Sequence, residues 1–159
     1  KNMRTTENFV FFWGNREIFS NFYKKPFFYK GVKIPCSEVG FMMEKAIQFN
    51  DTDIFNKLKT AHNPARAKEL GRKIKNYDDA VWNEVRYDRM KEVLIAKFSD
   101  PTLKKQLKDT GKRILVEASP MDKIWGIGMD ENHPQVEDIS KWKGQNLLGQ
   151  VLMDIRDGF

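Results

Sequence analysis

The chain has 159 residues, 40% of them hydrophobic and 31% charged, which is enough for one globular domain with its own core. No apolar run approaches the roughly 18 residues of a membrane helix, and the polar start at residues 1–8 is not typical of a signal peptide. The formal net charge of +6 favours an anionic ligand or a nucleic acid, although a solvated charged surface explains it equally well.

The single cysteine, Cys36, limits both the compartment and the chemistry. One thiol cannot form an internal disulfide, so we expect a reducing, cytoplasmic environment. One cysteine with His62 and His133 does not supply a tetrahedral ligand set, so no metal is expected. A nucleophilic pair of Cys36 and His62 would need an orienting third group that the sequence does not indicate, which favours a structural cysteine.

The first third of the chain is aromatic and resembles β-structure. Phe9–Trp13 is a short buried-strand candidate, and residues 27–29 and 32–34 flank Lys30-Gly31 as the two strands of a hairpin. Between them, Asn21 offers a hydrogen-bond donor and an acceptor beside the ring of Phe22. This short segment is also typical of a turn with a hydrophobic anchor.

The middle third is predicted to be helical because capping residues precede apolar positions at helical spacing. Five helices are expected: from Ser37 as a cap to about Asn50, from Asp51 or Thr52 through Leu58, from Asn63-Pro64 to Gly71, from Asp78 to about Phe98, and from Pro101 to Gly111.

The last third returns to a strand and ends in a helix. Residues 114–116 form the strand, an irregular loop spans 117–128, and a polar excursion covers 129–140. Leu147 to Ile155 carry the apolar side of the final helix. The fold class is therefore predicted as α+β, a mostly helical single domain with a small β-sheet.

The helix after Ser37 carries a carboxylate and an ammonium on one face. Glu38 and Lys45 are seven residues apart and project within about 20° of each other, on a stripe shared with Phe41 and Phe49. Burial of such charges is costly unless they pair with each other, with a ligand or with the backbone. The alternative is a helix-start glutamate and a lysine whose stem lies along apolar surface.

A second candidate is the loop that follows the last predicted strand. Glu117 and Asp122 flank the Ser119-Pro120 turn, and Trp125 comes next with a glycine on either side of Ile127. Loops at strand ends often hold catalytic groups, glycines let a ligand approach the backbone, and a tryptophan can stack on a base. A tight turn with a core tryptophan is the structural alternative.

A third candidate lies on the long helix. Trp82, Arg86 and Arg89 are spaced to line one face, and Arg66 and Arg72 come from the preceding helix. An aromatic ring beside guanidinium groups suits a base and its phosphate. A core tryptophan with surface arginines is equally compatible with the spacing.

Taken in order, the motifs of this chain resemble those of one family. They are Phe-Ser-Asn-Phe-Tyr (19–23), Pro-Phe with a following Gly (26, 27, 31), Ser-Glu (37–38), Met-x-x-Lys-Ala (42–46), Ala-Lys-x-Leu-Gly-Arg (67–72), Trp-x-x-x-Arg-x-x-x-Met (82–90), Lys-Phe (97–98), Leu-Val-Glu-Ala-Ser-Pro-x-Asp-x-x-Trp-Gly-Ile-Gly (115–128) and Trp-x-Gly-Gln-Asn-Leu-Leu-Gly (142–149). The chain is similar to the NADAR domain, the YbiA-like proteins, from about Phe11 to Arg156. The block at 117–128 is the most specific part, whereas residues 32–34 depart from an expected aromatic-rich stretch.

The resemblance implies a single YbiA-like domain over residues 1–159 and an N-glycosidase, a hydrolase of base–ribose bonds. With this chemistry, the candidate features above give Glu38, Glu117 and Asp122 as the catalytic carboxylates. Lys45 is the fourth catalytic group, and it either orients a carboxylate, acts as an acid, or attacks the anomeric carbon to form a Schiff base. The predicted substrate contacts are Asn21, Phe22, Arg72, Trp82, Arg86, Ser119, Trp125, Gly126 and Gly128. No metal or other cofactor is needed, because carboxylates can stabilise the positive charge that develops on the sugar.

The family resemblance leaves the substrate open among three alternatives. The first is ADP-ribosylated guanine in DNA, with DNA as a partner, which the net charge of +6 favours. The second is a riboflavin-pathway intermediate that carries a ribosylamino-phosphate group. The third is a non-catalytic ADP-ribose-binding module, which the presence of Glu38, Lys45 and Asp122 disfavours. We expect Glu38, Lys45, Glu117, Asp122 and Trp125 to converge on one pocket.

Overall fold

The computed structural model of the chain describes residues 3–159, which contain six α-helices and five β-strands. The strands are β1 (Arg4–Thr5), β2 (Phe9–Phe12), β3 (Phe27–Tyr29), β4 (Val32–Ile34) and β5 (Ile114–Glu117). The helices are α1 (Ser37–Gln48), α2 (Thr52–Leu58), α3 (Pro64–Gly71), α4 (Asp79–Lys97), α5 (Pro101–Lys108) and α6 (Leu147–Asp157). Helical residues greatly outnumber strand residues, which confirms the predicted α+β class.

The chain divides into two compact units. The first combines the residues up to Ser20 with Pro101–Phe159, and the second is Asn21–Asp100. Each unit holds one of the two small sheets, where the sequence predicted a single one. None of the helices among residues 3–159 has the length and hydrophobicity required to cross a bilayer.

The first unit is built on a three-stranded sheet with β2 in the middle. β2 pairs in parallel with β5, from Phe9 opposite Ile114 to Phe12 opposite Glu117, and antiparallel with β1. All four residues of β2 are buried, as a central strand covered on both faces requires. This register holds Glu117 at the carboxyl end of β5.

The second unit is a helical group with α1 at its centre. α1 contacts α2, α3 and α4, and the hairpin of β3 and β4 packs beside it. At Gly40, a β-carbon would lie 2.8 Å from Cγ1 of Val93, so the missing side chain lets α1 and α4 approach closely. Lys30 and Gly31 both have positive φ, at 49° and 78°, as a two-residue hairpin turn requires.

Most predicted helix starts carry the predicted side-chain caps. The carboxylate of Asp51 accepts from the backbone NH of Ile54, Asn63 accepts from that of Arg66, and Asp78 from that of Val81. A second oxygen of Asp51 accepts from the backbone NH of Lys75 at 2.8 Å, which ties two separate segments together.

The predicted Ser37 cap is wrong. Cys36 occupies the N-cap position and makes no side-chain cap bond, while Ser37 is the first helical residue. Its hydroxyl donates to the side-chain oxygen of Asn21 at 2.8 Å, and the backbone NH of Glu38 donates to the backbone oxygen of Asn21 at 3.1 Å. Asn21, which is distant in sequence, therefore accepts hydrogen bonds from the first turn of α1. A capping rule that considers only neighbouring residues could not identify this asparagine.

Candidate functional site

α1 presents Glu38 and Lys45 on its buried side. The helix packs this face against α3 and α4, so Glu38 is only 8% exposed and Lys45 is half-buried. The ammonium of Lys45 donates to the backbone oxygen of Gly71 at 3.2 Å, at the end of α3. The same nitrogen lies 4.5 Å from the centroid of the Tyr77 ring. The helical unit thus encloses most of Glu38 and covers part of Lys45.

The protein environment of Lys45 stabilises its neutral amine relative to the same side chain in water. Burial lowers the pKa of Lys45 below its ordinary value of 10.5, and the nearby guanidinium of Arg72 acts in the same direction. The carboxylates of Glu38 and Asp79 oppose this change. A lysine with a lowered pKa gives up its proton more readily, and as the neutral amine it can accept a proton or attack an electrophilic carbon.

An aromatic wall borders this pair of charges. The ring of Phe41 lies 5.3 Å from Trp82, Phe49 lies 6.3 Å from Trp82, and Phe49 makes an edge contact with Tyr77 at 5.3 Å. Trp82 is buried in this wall, whereas Tyr77 is 41% exposed. The exposed ring of Tyr77 therefore offers a stacking surface next to Lys45.

Tyr77 is the residue of this site that the sequence did not reveal. Its hydroxyl donates to Asp79 at 2.8 Å. Burial and this hydrogen bond to a carboxylate raise the pKa of Tyr77 to about 12, so the hydroxyl stays protonated at neutral pH. The one feature of the sequence that could have indicated Tyr77 as a site residue is its position, as an aromatic residue in the lysine-rich stretch between α3 and α4.

Asn21 and Phe22 have different local roles. Asn21 is buried, and its side chain accepts from Ser37 and donates to the sulfur of Met90 at 3.5 Å, so it positions the start of α1. Phe22 is partly exposed, and the ammonium of Lys68 lies 5.6 Å from its ring centroid. The predicted substrate contacts of both residues stay predictions.

The three residues of the predicted Trp82–Arg86–Arg89 face have different surroundings in the structure. Arg86 donates to the side-chain oxygen of Asn83 at 2.8 Å and is half-exposed. Arg89 instead donates to Gln48 at 2.9 Å and lies 3.6 Å from the buried carboxylate of Glu44. Arg89 thus compensates a buried charge, while Arg86 stays accessible beside Trp82.

In the first unit, Glu117 is fixed at the end of β5 by Asn146. The side chain of Asn146 accepts from the backbone NH of Glu117 at 3.0 Å and donates to the backbone oxygen of Leu115 at 2.9 Å. Asn146 adopts the left-handed conformation, at φ 55°, immediately before α6. The asparagine amide therefore continues the hydrogen bonding of β5 and positions Glu117.

The turn at 119–125 is held by two side chains. The Ser119 hydroxyl accepts from the backbone NH groups of Met121 and Asp122, at 3.3 and 3.2 Å. One carboxylate oxygen of Asp122 accepts from the NH groups of Ile124 and Trp125, both at 2.9 Å. These bonds give Ser119 and Asp122 a turn-forming role, and their catalytic and substrate-binding roles stay predictions.

The two glycines of the motif are required by close packing. At Gly126, a β-carbon would lie 2.9 Å from the backbone oxygens of both Glu117 and Asp122. At Gly128, φ is +66° and a β-carbon would lie 3.1 to 3.2 Å from the side chains of Lys123 and Lys143. Close contacts with neighbouring protein atoms account for a glycine at both positions, so substrate contact there stays a prediction.

The predicted catalytic residues belong to two different units. Glu38 and Lys45 lie in the second, and Glu117, Asp122 and Trp125 lie in the first. Their convergence on one pocket stays a prediction. Among residues 3–159, no three His, Cys, Asp or Glu side chains are grouped so as to hold a metal ion.

Two curated proteins are similar to the chain over most of its length. N-glycosidase R617 of Acanthamoeba polyphaga mimivirus is 36% identical over 164 residues, which cover 96% of each protein. A riboflavin biosynthesis protein of Vibrio vulnificus is 30% identical over 144 residues, which cover 90% of this chain and 35% of that larger protein.

A solved structure and a family model agree with these relatives. The NMR structure of the E. coli protein YbiA matches with a TM-score of 0.77 and 26% identity, over 99% of this chain and 88% of YbiA. The YbiA-like fold predicted from the motifs is therefore confirmed, and the similarity to N-glycosidase R617 confirms the enzyme class, an N-glycosidase-type hydrolase. The NADAR domain model matches residues 11–159, and the chain belongs to the NADAR domain family.

Proposed function

We propose that the chain removes ADP-ribose from guanine in ADP-ribosylated DNA by hydrolysing the bond between the ribose anomeric carbon and a guanine nitrogen. One observation carries the proposal: α1 holds a nearly buried carboxylate, Glu38, and a half-buried ammonium, Lys45, on a face bordered by aromatic rings. Such a face suits a sugar that becomes positively charged and a base that stacks as it departs.

The first mechanism uses both side chains without a covalent intermediate. As the carbon–nitrogen bond breaks, the Glu38 carboxylate stabilises the positive charge at the anomeric carbon. The Lys45 ammonium gives its proton to the departing guanine nitrogen. Water adds to the carbon, and its released proton restores the ammonium. The products are guanine in intact DNA and free ADP-ribose.

The second mechanism uses the neutral amine of Lys45, which burial favours by lowering the pKa of that lysine. The amine nitrogen bonds to the anomeric carbon as the carbon–guanine bond breaks, and one amine proton passes to the guanine nitrogen. The sugar ring then opens, its oxygen takes the second proton, and an imine remains. Water then hydrolyses the imine and regenerates the amine. Borohydride reduction during turnover distinguishes the routes, because only the imine route gives a stable covalent adduct at Lys45.

A second candidate substrate is a ribosylamino-pyrimidine phosphate. The relative of Vibrio vulnificus, which bears a riboflavin biosynthesis name, is the observation that favours it. The exposed guanidinium of Arg72 beside Lys45 is suited to a single phosphate group. The same Glu38–Lys45 chemistry would serve this smaller molecule.

The deciding experiment offers both substrates to the same protein. An oligonucleotide with ADP-ribosylated guanine and the ribosylamino-pyrimidine phosphates are incubated separately, and mass spectrometry follows the base–ribose bond. We expect rapid loss of ADP-ribose from the oligonucleotide, abolished in Glu38→Gln and retained in Glu84→Gln, which removes an exposed carboxylate of α4. Preferential cleavage of the pyrimidine phosphates would transfer the proposal to the second candidate, and binding without cleavage of either would contradict both.

A further inference from the structure

One stretch of the chain, from the end of α2 through α3 to the loop beyond it, carries a large excess of positive charge. Residues 57–75 contain seven lysine or arginine residues and one acidic residue, a net +6 that equals the formal charge of the whole chain. All seven cationic residues are exposed: Lys57, Lys59, Arg66, Lys68, Arg72, Lys73 and Lys75. We refer to these seven side chains as the basic surface.

Part of the basic surface is already neutralised by neighbouring carboxylates. Lys57 pairs with Asp53 at 3.4 Å, and Arg66 and Lys73 share the carboxylate of Glu69. Within the described residues, the remaining four side chains have no carboxylate within 4 Å. These four are Lys59, Lys68, Arg72 and Lys75.

The basic surface adjoins the Glu38–Lys45 face. Arg72 directly follows Gly71, whose backbone oxygen accepts from the ammonium of Lys45. Lys68 and Arg72 are four residues apart at the end of α3 and project to the same side. Lys68 also contacts the ring of Phe22. A polyanion on the basic surface would therefore extend from the candidate site along α3.

We infer that the basic surface binds the phosphodiester backbone of the DNA strand that carries the modified guanine, an inference that rests on the proposed function. Lysine and arginine side chains that replace counterions along a strand supply affinity without reading its sequence. The modified base would then reach Tyr77 and Lys45, while flanking phosphates contact Lys68 and Arg72 and, further along, Lys59 and Lys75.

A second basic stretch provides a matched control. Residues 104–113, in α5 and the turn after it, contain five cationic residues and one acidic residue, Asp109, and they belong to the other unit. Lys105 pairs with Asp109 at 2.7 Å, and Lys104 lies over the ring of Phe159. Because this stretch belongs to the other unit, it tests whether any group of cationic side chains on the chain would give the same result.

The test compares two triple variants that remove the same charge. Lys59→Gln, Lys68→Gln and Lys75→Gln change the basic surface, and Lys104→Gln, Lys108→Gln and Lys112→Gln change the control stretch. Binding of an unmodified, fluorescently labelled single-stranded DNA is measured by anisotropy over a range of salt concentrations. Melting temperatures establish that both variants fold.

We expect the basic-surface triple to weaken binding on the order of tenfold or more at about 0.1 M salt and to reduce the slope of log K against log salt by about 2. The control triple should change affinity less than about threefold. Equal losses in the two triples, or wild-type binding that is absent or insensitive to salt, would overturn the inference.

Turnover of an ADP-ribosylated guanosine nucleoside separates this inference from the proposed function, because the nucleoside has no strand to bind. The basic-surface triple should lose much less activity on this nucleoside than on the oligonucleotide, and the control triple should lose activity on neither. If the wild type cleaves neither the nucleoside nor the oligonucleotide, but the basic-surface triple binds DNA more weakly as expected, the proposed function fails and the DNA-binding surface stands. If the wild type cleaves the oligonucleotide and the basic-surface triple binds DNA as well as the wild type, only the DNA-binding surface is refuted.

Discussion

The ammonium nitrogen of Lys45 lies 4.5 Å from the centroid of the Tyr77 ring, so one exposed aromatic ring covers the lysine of the candidate site. A cation over a ring face is stabilised relative to the neutral amine. Tyr77 therefore opposes the effect of burial on Lys45 and limits how far the pKa of that lysine is lowered.

Replacing Tyr77 by leucine should lower the pKa of Lys45 further, by about half a unit, because a surface cation–π contact contributes about 0.5–1 kcal/mol. Tyr77→Phe keeps the ring and should leave that pKa unchanged. NMR titration of the Lys45 side chain measures both variants without requiring activity. An equal change in the two variants would indicate that the hydroxyl, rather than the ring, acts on Lys45.

Glu38 and Lys45 should act as one catalytic unit. We expect Glu38→Gln and Lys45→Met each to lower turnover on the order of 10²-fold or more, the scale of a lost acid–base or charge-stabilising group. The double variant should be about as slow as the worse single variant. Melting temperatures should change little or rise, since the variants no longer bury these two charged groups. Near-normal turnover in both single variants would move the chemistry to Glu117 and Asp122.

The buried carboxylate of Glu44 should make the Tyr29 hydroxyl important for stability. Glu44 is fully buried, accepts from the Tyr29 hydroxyl at 2.6 Å and lies 2.7 Å from the Lys30 ammonium. Tyr29→Phe should cost about 1.5–3 kcal/mol of unfolding free energy, measured by urea denaturation, because a buried charged acceptor loses its donor. Tyr77→Phe makes the same chemical change at an exposed site and should cost less than about 1 kcal/mol. Similar losses at the two sites would contradict this account.

Lys97 should make stability depend on pH. It is 2% exposed near Cys36 and the rings of Tyr23 and Phe98, and burial lowers its pKa to about 7. The unfolded chain keeps the ordinary lysine value, so between about pH 7 and 10 it binds more protons than the folded protein. Stability therefore rises with pH across that window, and below it the cost of burying the ammonium is fully present.

Lys97→Met removes this titration. The variant should be more stable than the wild type at about pH 6, on the order of a few kcal/mol, and the difference should shrink as pH approaches about 10. Thermal denaturation over this range measures it, with the half-exposed Lys91→Met on the same helix as the control. A difference that is constant with pH would mean that Lys97 does not titrate in the folded protein.

Features governed by local chemistry could be predicted from the sequence. Asn63-Pro64 and Asp78 begin helices as expected, because a side-chain cap depends on residues within one turn. β1 could not be predicted, since it has only two residues and forms through pairing with β2. Ser37 was misassigned because its hydroxyl partner, Asn21, lies 16 residues upstream.

The candidate site was predicted where helical spacing determines it. Glu38 and Lys45 share a buried face as the period of α1 requires. Tyr77 was missed because an irregular loop, rather than a periodic element, brings it over Lys45. The burial of Lys97 was also missed, because a charged residue in a helix is ordinarily expected at the surface.

The carboxylate of Asp51 holds both ends of the segment that contains the basic surface. One oxygen accepts from Ile54 near the start of α2, and the other accepts from Lys75 at the end of the basic stretch. These two backbone bonds lower the pKa of Asp51, so the carboxylate form that makes them is lost only as pH falls through that lowered value. Residues 52–75 are thereby closed into a single loop that would open as one cooperative unit in amide hydrogen exchange. The side chains that we assign to DNA are thus presented by a segment whose two ends are joined by one carboxylate.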